Sequence, residues 1–302
     1  MKEINPLEYK YKVWFVQSLL SDKNYAYLWV KYFKIKEKDM PKELKGCSIL
    51  FSEDDLLKFE KKIKENAYVP VDRDHEEICT FFGRSYKLFT IFTKPALNKF
   101  IEHFIKSKPK IIGIDIETGK SKEAATIQIA THTCLFFISI HELFKKLSED
   151  EWIHFFEVLF DPSIIRVGFA FHNDFQFLCT KFPYLQEIFQ DQQRKVLCLQ
   201  KLANYLIKEN IVHHFCTALY SHSGLEKLTK AVLYLNMDKT EQQSNWTQIP
   251  LTQFQKIYAV ADALLVVLLK DEIQKCLERE FSAEKVNQIM EVGYICHENS
   301  KP

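Results

Sequence analysis

Apolar residues in the first third of the chain recur at three- and four-residue spacing. Val13, Trp14, Val16 and Leu20 form one such run, and Tyr25, Leu28, Trp29, Tyr32 and Phe33 form a second. That period predicts two amphipathic helices between about residues 9 and 35. Ser21-Asp22-Lys23-Asn24 separates them and supplies an N-cap. Residues 53–66 predict a charged helix with Leu56, Leu57, Phe59 and Ile63 inward, its lysines forming a solvated face or a binding patch. Residues 67–83, with Pro70, two Asp and Gly83, are the expected linker.

From Tyr86 the pattern shortens to strand-like runs. Tyr86–Ile91 predicts an edge strand and Lys94–Ile105 a helix. Three strands follow, Ile111–Glu117, Ala125–Thr131 and Cys134–Ile140, the last two joined by a tight turn at His132-Thr133, which makes an antiparallel meander. A helix over Glu149–Phe160 stops at Asp161-Pro162. Then come a strand at 164–170, a helix at 174–181, and long helices from Gly224 to Leu235 and from Thr252 to Glu280. A meander followed by βα alternation predicts an α/β domain, a mixed β-sheet flanked by helices, behind a small helical domain. The expected organisation is an N-terminal helical domain with its linker over 1–83, a main domain over 84–281, and a polar, partly ordered tail over 282–302.

Composition narrows the class. With 302 residues, 47% apolar, 25 Phe and only 7 Gly and 9 Pro, the chain has ample core and is not of the disordered type. A net charge of +1 excludes a broadly basic surface, so any nucleic-acid contact needs a local basic track or a partner. Eight Cys without a CxxC pair predict reduced thiols in an intracellular protein. No apolar run is long enough to span a bilayer, and no secretory leader is visible. The expectation is a cytoplasmic protein without membrane contact, the nucleus remaining an alternative.

The candidate chemistry starts at Asp115 and Glu117. They interrupt the apolar run Ile111-Ile112-Gly113-Ile114 at alternate positions, so they share one face of a strand. Two carboxylates there repel each other and lose hydration, a cost that a divalent cation offsets; the alternative is a strand end reaching solvent. Further on, Arg166–Phe171 leads into a polar turn, His172-Asn173-Asp174. Tyr258 and Asp262, four apart in an apolar helix, lie on one helical face.

Asp-x-Glu, a later Asp after a strand, then Tyr-x-x-x-Asp resembles the pattern of the DEDDy 3′–5′ exonucleases of the ribonuclease D and Werner-type group. The stretch Ser223-Gly224-Leu225-Glu226-Lys227-Leu228, with Asp238-Lys239, Gln243-Ser244-Asn245-Trp246 and Pro250-Leu251, is similar to the segment before the last motif in its Nibbler (mutator-type) members. Tyr25–Leu44 is more loosely similar to the helical repeat ahead of the nuclease in those enzymes. The resemblance implies a ribonuclease H-like fold and hydrolysis from the 3′ end of single-stranded RNA with two Mg²⁺ or Mn²⁺ ions. By resemblance Asp115 bridges both ions, Glu117, Asp174 and Asp262 complete them, and Tyr258 orients the attacking water. Candidate substrate contacts are Gln128, His172, Asn173, Lys239, Ser244 and Asn245, with a supporting role as the alternative for Gln128 and for the His172-Asn173 turn. An Argonaute or another small-RNA pathway protein is the implied partner, through the N-terminal helices. A Werner-type DNA exonuclease and a nuclease-fold interaction scaffold are the competing readings. Two departures stand out. Thr118-Gly119 occupies the place where most relatives carry an aromatic, and Ile249 stands where an Arg usually precedes the Pro.

Overall fold

The computed structural model describes residues 12–13, 16–17, 23–45, 56–57, 71–119, 121–211, 224–237, 239, 241–247 and 249–296. The chain divides into two compact units, Met1–Val69 with Asp238–Thr240, and Pro70–Met237 with Glu241–Pro302. In the first, helix α1 (Lys23–Tyr32) buries Ala26, Trp29 and Val30 with Val16, Ile35 and Leu44. The rings of Trp29 and Tyr32 meet edge-on at 5.5 Å. Most of the first predicted helix and of the one over 53–66 falls outside the described residues.

The second unit is a mixed sheet of eight strands among the described residues, in the order β1-β2-β5-β4-β3-β6-β7-β8. The strands are β1 (His75–Phe81), β2 (Arg84–Ile91), β3 (Ile111–Thr118), β4 (Ala124–Ala130), β5 (Cys134–Ser139), β6 (Ile165–Gly168), β7 (Val196–Cys198) and β8 (Tyr294–Ile295). The helices are α2 (Lys94–Ser107), α3 (Ile140–Leu143), α4 (Glu149–Leu159), α5 (His172–Lys181), α6 (Leu185–Gln190), α7 (Leu199–Lys208), α8 (Leu225–Leu233), α9 (Gln253–Glu280) and α10 (Ala283–Val292). The expected meander is present, because β3 and β5 both pair antiparallel to β4.

Helices cover both faces of the sheet, which is why all seven positions of β4 are buried. On one face Ile112, Ile114 and Ile116 of β3 pack with Phe100 and Phe104 of α2 and with Trp152, Phe155 and Phe156 of α4. On the other, Ile111 packs with Ala259, Ala263, Val266 and Val267 of α9. Capping boxes start two helices. Ser148 with Glu151 opens α4, and Thr252 with Gln255 opens α9.

Gly113 lets α9 lie against β3. A Cβ at that position would sit 2.0 Å from the carbonyl oxygen of Ala263 and 2.9 Å from Val266 and Val267. The helix backbone therefore rests on the strand where no side chain fits. Gly168 does similar work between β6 and α5, where an added Cβ would meet Phe171 at 2.4 Å.

Three expectations need correction. Residues 75–81 of the expected linker form β1, which pairs along its whole length with β2 in a hairpin from His75↔Thr90 to Phe81↔Arg84. The β1 strand lies outside β2, so β2 is not an edge strand; it pairs parallel with β5 on its other side. Part of the expected tail is structured as well. The α10 helix is capped by the Ser282 hydroxyl and buries Val286, Ile289 and Met290, and β8 extends the sheet beside β7. The polar residues of that segment form the outer face of an amphipathic helix whose inner face packs on the core.

We expect Gly113→Ala to lower the unfolding free energy by about 2–4 kcal/mol, as overpacking against backbone does. Urea denaturation measures it, and a variant as stable as the wild type would show that α9 has room to shift.

Candidate active site

Asp115 and Glu117 lie on the α9 side of β3, in register with Gly113. Asp262, one residue before the close contact at Ala263, projects from α9 toward them. Carboxylate oxygens of Asp115, Glu117 and Asp262 all lie within 4.8 Å of one another. Asp174 is in the first turn of α5 and is buried. Its negative charge reaches this cluster, acting on Glu117 and in turn acted on by Asp115. Acids separated by up to 147 residues of chain thus share one electrostatic environment.

Burial pushes the Asp115 carboxyl up to about 7, against a backbone hydrogen bond at Ile116 that lowers it. Burial, then the charges of Asp115, Asp262 and Asp174, push Glu117 up to about 11. Burial and then Asp115 raise Asp174 well above the usual carboxylate range. No cation among the described residues pulls any of the three down. Tyr258, one turn before Asp262, is raised by burial and by the charges of Asp262 and Glu117, and its hydroxyl donates a hydrogen bond to the Asp262 carboxylate. Such a concentrated, oxygen-only donor set fits a hard divalent cation, and Asp115, Glu117 and Asp262 are the residues placed to hold one.

Beside the acids, on the neighbouring strand, lies a polar pair. Gln128 is the cross-strand partner of Asp115, and Thr126 that of Glu117, so both point to the acids' face. Both are fully buried, and Gln128 Nε2 donates to Thr126 Oγ1 at 2.7 Å. Gln128 therefore stands beside the carboxylates on the same face of the sheet, with no surface exposed to solvent. His172 and Asn173 open α5 beside Asp174; His172 is half-buried and Asn173 exposed. Ser244 donates to the Glu241 carboxylate, while Asn245 Oδ1 accepts from the Thr247 hydroxyl at 2.9 Å, so both brace their own turn. Lys239 falls in the first unit.

That turn explains Thr118-Gly119. A Cβ on Gly119 would meet Thr247 Cγ2 at 2.4 Å, so the space beyond β3 is filled by the 244–247 turn. The same turn carries Trp246, buried with its ring 6.2 Å from that of Tyr258. Ile249, in place of an Arg, packs on the core. The inward-facing Thr126 and the tie between Lys256 of α9 and Glu77 of β1 were not anticipated from sequence. The two residues of that tie are 179 apart, and no local pattern marks them.

Residues 88–278 match the family described as 3′–5′ exonuclease. Exonuclease mut-7 of Caenorhabditis elegans is 29% identical over 192 residues, covering 60% of this chain and 21% of that protein. The chain thus spans about a fifth of that relative's length. The Nibbler EXO domain of Aedes aegypti superposes with a TM-score of 0.57 at 22% identity, over 67% of this chain and 94% of that one. RNase D of Escherichia coli gives a TM-score of 0.51 at 18% identity, over 70% of this chain and 50% of that one. These structural likenesses show a shared α/β fold of the ribonuclease H-like type. With the match covering most of the main domain and the acids gathered on β3 and α9, the chain belongs to the 3′–5′ exonuclease family, metal-dependent hydrolases of phosphodiester bonds.

Proposed function

We propose that the protein is an exoribonuclease that shortens single-stranded RNA from its 3′ end, with two Mg²⁺ or Mn²⁺ ions, and that small RNAs are its substrates. The convergence of Asp115, Glu117 and Asp262 within 4.8 Å carries the metal-dependent part of this reading. The sequence likeness to the mutator-type exonucleases favours RNA. Asp115, Glu117, Asp174 and Asp262 hold the cations. When bound, such ions lower the pKa of a coordinated water and stabilise charge on the phosphoryl and leaving oxygens. Tyr258 stays protonated, because its acidity is suppressed by burial and by the neighbouring carboxylates. Its hydroxyl therefore orients the attacking water and takes no proton from it. Thr126 and Gln128, bonded to each other, flank the β3 acids on the neighbouring strand. A small-RNA pathway protein, of which an Argonaute is one case, docks on the aromatic N-terminal helices; co-purification that survives removal of residues 1–69 would remove that part of the proposal.

On 3′-labelled single-stranded RNA with Mn²⁺, we expect stepwise shortening. Asp115→Ala and Asp262→Asn should each lose at least about 10³-fold in rate, and Tyr258→Phe about 10- to 100-fold. RNA and DNA of the same sequence are run side by side. Faster loss of DNA would replace RNA as the substrate, and activity unchanged in Asp115→Ala would refute the site.

Metal and proton compete for the same carboxylates. The raised Asp115 carboxyl binds its proton more tightly folded than unfolded. Its contribution to metal-free stability is therefore fully present below pH about 4 and is lost as pH rises to about 7. Metal-free protein should melt at progressively lower temperature across that window. Mn²⁺ should reverse the loss by on the order of 5 °C at neutral pH. Asp115→Asn should reduce the pH dependence to the part carried by Glu117 and Asp174, whose carboxyls burial also raises, and should weaken the metal response in thermal melts.

A further inference from the structure

At the end of the sheet away from the acids, a cavity of about 660 Å³ opens between the C-terminus of α2, the β4–β5 turn and the middle of α9. Its charged lining is Lys108, Lys110, Lys270 and a single carboxylate, Asp271, with the imidazoles of His103 and His132 beside them. That carboxylate is already engaged, by His132 Nε2 at 2.7 Å and by Lys270 Nζ at 3.5 Å. Lys108 and Lys110 are exposed, and neither has an ion-pair partner among the described residues. In a chain of net charge +1, this is a local concentration of positive charge.

The lysines are held in place. Lys108 caps α2 in the left-handed region at φ 42°, its backbone N–H donating to the Phe104 carbonyl at 3.0 Å. Pro109 fixes the next φ. The Lys110 carbonyl accepts from the Ile165 N–H at 2.9 Å, tying the segment to β6. Thr131 Oγ1 accepts from the Cys134 N–H at 2.9 Å and shapes the turn that carries His132. Anchored cations around a concave site favour a polyanion, because the backbone that carries them needs little further ordering on binding.

Two elements set the distance to the acids. Ile111 lines the cavity four residues before Asp115, about 13 Å along β3. Lys270 follows Asp262 by eight residues, about 12 Å along α9. That is too far for the terminal nucleotide and within reach of a longer strand. We propose that this cavity is a second nucleic-acid contact, which takes the sugar–phosphate backbone of the RNA upstream of the 3′ end held at the acidic cluster. The assignment rests on the RNA reading given above. It makes the enzyme dependent on substrate length and concentrates its salt sensitivity at the end remote from the chemistry.

The test is the double charge reversal Lys108→Glu/Lys110→Glu, with two readouts. Binding is measured by fluorescence anisotropy of a single-stranded RNA of about 20 nucleotides on the full chain carrying Asp115→Asn, which separates binding from cleavage. We expect affinity to fall at least about tenfold and the slope of log K against log salt to shrink by about 1–2. In the active chain, kcat/KM should fall by a similar factor on the long RNA and stay unchanged on a dinucleotide. Unchanged affinity and salt slope would overturn the proposal and leave an acidic protein segment as the cavity's ligand. Equal losses on long and short substrates would also overturn it. A wild type that binds RNA through these lysines yet cleaves none would refute the exoribonuclease reading and leave the contact standing.

Discussion

The approach of α9 to β3 at Gly113 is the constraint on which the site depends. Helix backbone touches strand where a methyl group would already collide, at 2.0 Å from the Ala263 carbonyl. Asp262 immediately precedes that contact, and Tyr258 lies one turn earlier. Closeness at one glycine thus brings carboxylates from a strand and a helix within 4.8 Å of each other. Small residues continue the seam on the helix side, at Ala259 and Ala263.

Holding those acids together costs free energy. The carboxyl groups of Asp115, Glu117 and Asp174 are all pushed up by burial. The frame that tolerates this is stiff: an isoleucine ladder on the opposite face of β3, a fully buried β4, and aromatic packing among α2, α4, α5 and α6. The Thr126–Gln128 hydrogen bond lies inside that frame. An unfavourable local arrangement is sustained when the surrounding packing over-determines it.

Much of this was legible along the chain. The period of two in β3 placed Asp115 and Glu117 on one face, and the four-residue spacing placed Tyr258 over Asp262. The predicted helices that fall on described residues and the meander matched within a few residues of their predicted ends. What escaped was non-local. The β1 strand looked like a linker because His75, Glu76 and Glu77 are charged and Ile78 is 75% exposed. Only pairing with β2 makes it a strand. The segment from Ala283 to Ile295 looked like a polar tail because its apolar residues are sparse, and they count only when packed beside α7, α9 and β7.

The sequence by itself determined the chemistry available: which acids exist, on which face of its own element each stands, and that a phenol lies one turn from a carboxylate. Those are consequences of strand and helix periods, which act within a few residues. Tertiary structure alone decided that the faces meet, that the 244–247 turn fills the space beyond Gly119, and that lysines just past α2 share a cavity with one from α9. Contacts between residues more than a hundred positions apart depend on packing of whole elements, and no local pattern encodes them.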